Sequence, residues 1–138
     1  MTDALKFFVP GKPEYVGTVR IAISHVAANA GFDIESIDDI KVAVSEACTN
    51  IIRHSHDHSD FSYEVGVERD EKGLTITVVD CGVGFDTDEY IEPVPGQTQG
   101  SGMGIYILRA LMDEVEIRSE VGVGTNIRMK KYLQSRFA

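Results

Sequence analysis

The chain has 138 residues, of which 43% are hydrophobic and 25% charged, and its formal net charge at pH 7 is −9. A chain of this length buries one core, so a single domain over residues 1–138 is predicted. The acidic balance excludes a nucleic-acid binder, which needs a basic face to release phosphate counterions. We expect no membrane segment, because no apolar run approaches the roughly 18 residues of a span, and no signal peptide. Two cysteines make no disulfide framework, so a cytoplasmic location is predicted.

A short strand is predicted over Leu5–Val9, followed by a helix that Pro13 opens and Gly31 ends. Ile21 and Ala28 fall off the main apolar stripe of this helix. They indicate either a second apolar face for a subunit or partner, or a helix that is buried on most sides. The main stripe has the 3.6-residue period of a helix and consists of Val16, Val19, Ile23, Val26, Ala27 and Ala30.

A second helix is predicted from about Ser36 to His54, with Cys48 filling the core. Glu46 and Asn50 are four residues apart and therefore lie one above the other, one turn apart on one helix face. Such a pair is usually an ordinary solvated pair. Here it precedes two glycine loops, and a carboxylate beside an amide could border a pocket.

The second half of the chain predicts a hairpin of two strands, Phe61–Glu68 and Leu74–Asp80, joined by a polar turn. A third helix is expected over Gly102–Met112. Two final strands, Val115–Ser119 and Thr125–Leu133, follow it around a glycine turn.

Two glycine-rich segments, Asp80–Gly84 and Gly100–Gly104, flank an acidic stretch at residues 86–99 that has no lysine or arginine and is predicted to be a lid. Glycine lets the backbone approach an anion, and a helix start attracts phosphate. The order of the segments predicts a nucleotide site, and a Rossmann site is disfavoured because no strand immediately precedes Gly100. In an acidic protein, polyphosphate binding also predicts dependence on Mg²⁺.

Three histidines and two aspartates occur within residues 54–60 and offer an alternative metal site. Ligands that alternate along one loop rarely converge without a ligand from a second element. A solvated connection after the second helix is therefore the favoured interpretation.

The Glu46 and Asn50 pair, the two glycine segments and Gly124-Thr125 look like the N, G1, G2 and G3 boxes of GHKL-type ATP-binding domains. The runs Pro13–Gly17 and Val44–Asn50, followed by His54, closely resemble bacterial anti-sigma factor serine/threonine kinases of the general-stress, sigma-B type. The resemblance implies a two-layer α/β sandwich of the GHKL (Bergerat) type. A mixed, mainly antiparallel sheet would carry three helices on one face.

The same resemblance implies a cytoplasmic homodimer that uses ATP and Mg²⁺. It would phosphorylate a serine or threonine of an anti-anti-sigma (STAS-type) protein and sequester a sigma factor in partner switching. One alternative is a non-catalytic, ATP-dependent sequestering module. Another is a switch kinase of a stress complex that binds no sigma factor.

Carried over by position, the resemblance makes Glu46 the general base, Asn50 the Mg²⁺ ligand and Asp80 the acceptor of the adenine amino group. Gly100 stands where some relatives carry an arginine, which leaves Arg53, Mg²⁺ and the helix start to neutralise the γ-phosphate. Thr125 would support Asp80 or a water at the base. The remaining residues assigned to nucleotide binding are His54, Gly82, Gly84, Ser101, Gly102, Met103 and Gly104.

Overall fold

The computed structural model describes residues 2–54, 61–80, 102–120 and 124–134. Its elements follow the predicted order, with ends within two residues of the predicted ones except at the first helix, where Pro13 opens a 3₁₀ turn and the α-helix begins three residues later. They are β1 (Asp3–Pro10), a 3₁₀ turn (Pro13–Tyr15), α1 (Val16–Ala30), α2 (Ile34–His54), β2 (Ser62–Arg69), β3 (Gly73–Asp80), α3 (Gly102–Leu111), β4 (Glu114–Glu120) and β5 (Gly124–Tyr132).

The five strands form one sheet in the order β1-β2-β3-β5-β4, and all four pairings are antiparallel. The sequence predicts a mixed, mainly antiparallel sheet, and the parallel component is not present among the described strands. The reason is the crossover through α3, which takes the chain from β3 to β4. Because β5 then returns between these two strands, β3 and β4 run in the same direction without pairing.

Three helices cover one face of the sheet, which confirms the two-layer α/β sandwich. Alternate residues of the central strands point into the core because successive side chains of a strand face opposite sides. The buried apolar residues of β2, β3 and β5 are Tyr63, Val65, Val67, Leu74, Ile76, Val78, Ile127 and Met129. Those of α1 and α2 are Val19, Ile23, Ala27, Ile40, Ala43, Val44, Ala47, Cys48 and Ile51.

The connection between α1 and α2 is set by two residues. Gly31 has φ 101°, a left-handed conformation that ends α1 where the sequence predicts. The Asp33 carboxylate accepts a hydrogen bond of 2.8 Å from the Ser36 backbone N–H, so Asp33 caps α2. This cap lowers the pKa of Asp33. As a result α2 begins at Ile34, two residues before the predicted start.

The end of α3 is fixed by Lys131 of β5. Its Nζ donates a hydrogen bond of 2.5 Å to the Leu111 carbonyl oxygen in the last turn of α3. The same Nζ lies 3.6 Å from an Asp39 carboxylate oxygen on α2. One side chain therefore ties β5 to both helices.

The second apolar face of α1 lies at the surface. Ile21 is 67% exposed and Ala28 is exposed as well, so the alternative of a helix buried on most sides is wrong. None of the helices in the described ranges has the length and hydropathy of a membrane span.

Candidate functional site

Glu46 and Asn50 lie one turn apart on α2, near its contact with α3. Asn50 is 2% exposed, whereas Glu46 is half-buried. Asn50 lies on the core side of α2, where its neighbours Ala47, Cys48 and Ile51 are all buried. The amide is thus held in the interior while the carboxylate stays accessible.

The Glu46 carboxylate lies beside the first turn of α3. A β-carbon added at Gly104 would come to 3.3 Å from Glu46 Oε2, closer than ordinary van der Waals contact. Gly104 is the third residue of α3, where the backbone N–H groups have no partner within the helix. The predicted base and part of the predicted phosphate-binding segment therefore meet at one contact.

The Asn50 amide is buried, and no described residue forms a hydrogen bond with it. Neither its oxygen nor its nitrogen has one among the described residues. Leaving a buried polar group unpaired costs about 1–3 kcal/mol. Because native proteins rarely bear this cost without a reason, such a group is typical of a ligand-binding site. Mg²⁺ takes oxygen ligands, and an unpartnered amide oxygen fits that preference.

Asp80 and Thr125 form the other end of the site. Asp80 ends β3 and pairs with Thr125 at the start of β5, and both residues are buried at 5% and 3% exposure. Thr125 Oγ1 lies 2.9 Å from Ser119 Oγ on β4. Ser119 is not among the residues predicted from the sequence, because its position opposite Thr125 emerges only from the register of β4 with β5.

Other predicted site residues lie at the end of α2 and at the start of α3. Arg53 is exposed and His54 half-buried in the last turn of α2, and His54 lies one turn beyond Asn50. Gly102, Met103 and Gly104 form the first turn of α3.

The predicted lid at residues 86–99 lies outside the described residues, as do Gly82, Gly84, Gly100, Ser101 and most of the histidine-rich loop. Within the described part of the chain, no His, Cys, Asp and Glu side chains cluster as a metal site.

Cys48 lies between Glu46 and Asn50 on α2 but faces the core, as predicted. It is fully buried, and burial raises the pKa of its thiol to about 11. The buried Tyr63 hydroxyl of β2 lies next to this thiol and has no hydrogen bond of ordinary geometry among the described residues. Burial also raises the pKa of Tyr63. A thiol with a raised pKa is a poor nucleophile, so Cys48 has a packing role.

Comparison with known proteins adds independent information. The sequence profile of the histidine kinase-like ATPase domain matches residues 9–131. The serine-protein kinase RsbW of Oceanobacillus iheyensis is 39% identical over 95% of this chain and 87% of its own length. The proteins of the same name from Bacillus velezensis and Bacillus subtilis are 37% and 36% identical, each over 95% of this chain and 86% of their own length.

Solved structures show the same fold at lower identity. The RsbU and RsbW domains of Rv1364c from Mycobacterium tuberculosis match with a TM-score of 0.68 and 19% identity, over 94% of this chain and 31% of that one. The histidine kinase domain of a blue-light activated kinase from Erythrobacter litoralis matches with a TM-score of 0.57 and 21% identity, over 88% of this chain and 60% of that one. With the family profile and the curated relatives in agreement, the chain belongs to the RsbW serine-protein kinases, which are built on the histidine kinase-like ATPase domain.

Proposed function

We propose that this protein transfers the γ-phosphoryl group of ATP, with Mg²⁺, to a serine or threonine of an anti-anti-sigma protein. In the same partner-switching system it sequesters a sigma factor, and it acts as a cytoplasmic homodimer. The observation that carries the proposal is the buried Asn50 amide, which has no hydrogen-bond partner in the described part of the chain. It lies one turn from Glu46, whose carboxylate lies at the start of α3.

Nucleotide binding would divide between the two ends of the site. Asp80 accepts a hydrogen bond from the adenine amino group, and Thr125 supports that carboxylate or a water at the base. The first turn of α3, with Gly100 and Ser101 before it, receives the phosphates through the N–H groups that have no partner within the helix. Gly82 and Gly84 let the base pack against the backbone. Arg53, at the end of α2, is a candidate to neutralise the γ-phosphate, and the adjacent His54 is assigned to nucleotide binding.

Asn50 would hold the metal through its amide oxygen. A bound Mg²⁺ supplies neutralisation of charge on the phosphate oxygens. This assignment also gives a reason for an amide that is otherwise costly to bury, since the ligand supplies the missing partner.

Phosphoryl transfer depends mostly on positioning. The hydroxyl oxygen of the substrate protein attacks the γ-phosphorus, and a new oxygen–phosphorus bond forms. The bond from the γ-phosphorus to the bridging oxygen breaks, and ADP leaves with that electron pair. Glu46 takes the hydroxyl proton. Its half-buried position beside α3 keeps the carboxylate near the phosphate end and open to a protein substrate.

The test is transfer of labelled γ-phosphate from ATP to candidate anti-anti-sigma proteins of the same genome. Glu46→Gln is expected to lower transfer by about 100-fold or more, the usual contribution of a general base, and to leave ATP affinity within about three-fold. Glu35→Gln removes the same charge from the exposed first turn of α2 and serves as the matched control. Full transfer by Glu46→Gln would remove the base role.

A non-catalytic sequestering module is the second candidate, and the absence of lysine and arginine from residues 86–99 favours it. Tight ATP binding without labelling of any candidate protein would support it over the kinase. Capture of a sigma factor by the tagged protein separates both from a switch kinase that binds no sigma factor. If sedimentation shows a monomer at all protein concentrations, the proposal of a homodimer is overturned.

A further inference from the structure

Three polar side chains form one row across neighbouring strands. Thr125 of β5 pairs with Asp80 of β3 on one side and with Ser119 of β4 on the other. The row lies at the end of the sheet, and Thr125 and Asp80 are buried. Ser119 Oγ and Thr125 Oγ1 are 2.9 Å apart, which is hydrogen-bond distance for two hydroxyls.

A hydroxyl has one proton to donate and two lone pairs that accept. Of Ser119 and Thr125, only one can therefore donate to the other. If Thr125 donated to Ser119, it would present only lone pairs toward Asp80, whose carboxylate oxygens are themselves acceptors. If Ser119 donates, the Thr125 proton remains available on the Asp80 side. The neighbouring carboxylate favours the second arrangement.

We propose that Ser119 is a positioning residue for the nucleotide base. By donating to Thr125, it keeps the Thr125 hydroxyl as a donor next to the acceptor Asp80. This inference rests on the proposed function, because it assumes that Asp80 meets the base.

An acceptor beside a donor matches the edge of adenine, which presents an amino donor next to a ring-nitrogen acceptor, met directly or through a water. Hypoxanthine and guanine present the opposite order, a carbonyl acceptor next to an N–H donor. A freely rotating Thr125 hydroxyl could serve either edge. Ser119 therefore contributes to the selection of adenine over 6-oxopurines by fixing the direction of that hydroxyl.

The experiment compares the dissociation constants of ADP and IDP by calorimetry with Mg²⁺ present. Inosine differs from adenosine only at this base edge, so the IDP-to-ADP ratio isolates base selectivity from phosphate binding. Ser119→Ala is expected to lower the ratio by about three- to ten-fold, the size of one net hydrogen bond, mainly through weaker ADP binding. Ser119→Thr retains a hydroxyl and is expected to keep the ratio within two-fold of the wild-type value.

Two further variants keep the test decisive. Ser119→Cys has a similar volume but only a weak hydrogen-bond donor, so it is expected to lower the ratio as Ser119→Ala does. It replaces the alanine variant in the test if that variant folds poorly. Ser62→Ala removes an exposed hydroxyl at the start of β2 and should change nothing.

The outcomes separate this proposal from the function on which it rests. If the Ser119 variants weaken ADP and IDP equally, Ser119 is only structural and the proposal is overturned. If the wild-type preference for ADP persists in Ser119→Ala and Ser119→Cys, the proposal for Ser119 is overturned, whereas the role of Asp80 in binding the base is unaffected. A wild-type protein that binds IDP as tightly as ADP would overturn both.

Discussion

The Glu46 carboxylate lies against Gly104, so close that a β-carbon at residue 104 would stand 3.3 Å from Oε2. Two elements far apart in sequence, the middle of α2 and the first turn of α3, thereby share one contact. The glycine provides space for a carboxylate as well as access for a phosphate. In the proposed mechanism, the base and the phosphate-binding turn hold each other in position.

Gly104→Ala is expected to uncouple stability from activity. Alanine is favoured over glycine inside a helix by up to about 1 kcal/mol, so the unfolding midpoint should stay level or rise. The new methyl group must displace the Glu46 carboxylate by a few tenths of an ångström. Because phosphoryl transfer depends on positioning, we expect turnover to fall by about ten-fold.

Gly17→Ala is the matched control for this change. It makes the same substitution within α1, where the nearest atom to the new β-carbon is Arg20 Nη2 at 3.9 Å. It should gain stability and leave phosphoryl transfer unchanged. Wild-type turnover in Gly104→Ala, measured by the labelled-phosphate assay, would show that the contact with Glu46 does not matter for the reaction.

The extent to which sequence predicts this molecule depends on how local each feature is. The positions of Glu46 and Asn50 on one helix face follow from helical spacing, and the ends of the strands follow from turn residues. The start of α2 was less predictable because Asp33 and Ser36 are both good caps, and only the observed hydrogen bond identifies Asp33 as the cap.

Features that depend on contacts between distant segments could not be predicted from a single sequence. The place of β5 between β3 and β4 brings Ser119 opposite Thr125, and nothing near either residue encodes that pairing. The contact of Lys131 with the end of α3 likewise depends on how β5 lies under two helices. The burial of Asn50 could not be predicted either, since helical spacing does not reveal how deeply a side chain is covered.

Asn50→Leu is expected to stabilise the nucleotide-free protein and abolish its response to nucleotide. Leucine has a similar size and favours helix, and it removes an amide that is buried without a partner among the described residues. The free energy of unfolding should therefore rise by about 1–2 kcal/mol. Functional sites commonly retain such destabilising groups. The increase in melting temperature that ATP and Mg²⁺ produce in the wild type should disappear.

Asn29→Leu, at an exposed position of α1, provides the comparison. It should preserve the response to ATP and Mg²⁺, because residue 29 lies on a different helix from the site. An undiminished nucleotide response in Asn50→Leu would rule out Asn50 as a ligand of the bound metal.

Lys131→Met is expected to loosen α3. Methionine retains much of the apolar stem but leaves the Leu111 carbonyl without its donor and Asp39 without its ion pair. Because the Lys131 side chain is only 13% exposed, water replaces the lost donor poorly, and the free energy of unfolding should fall by about 1–2 kcal/mol. Urea unfolding measures this loss.

Lys130→Met is the matched control, since Lys130 is the neighbouring residue and faces the opposite side of the sheet from Lys131. Its effect should stay within about 0.5 kcal/mol, as is usual for surface positions. Equal losses in the two variants would mean that the contact with Leu111 contributes little.

The buried thiol of Cys48 predicts a loss of stability in alkali. Its pKa in the folded protein is about 11, above the ordinary value of 9.0. The unfolded chain therefore releases this proton at lower pH than the folded chain does, and ionisation favours unfolding between the two values. The stabilising contribution of the neutral thiol is complete below pH 9 and is lost as the pH rises toward 11.

Cys48→Ala lacks this titration, so the comparison separates the thiol from the titratable groups that do not contact it. The free energy of unfolding of the wild type, minus that of Cys48→Ala, should fall by about 1 kcal/mol from pH 8 to pH 10. Urea titrations at the two pH values measure the difference. If it is the same at both, the thiol titrates alike in the folded and unfolded chains, and burial at Cys48 does not govern its ionisation.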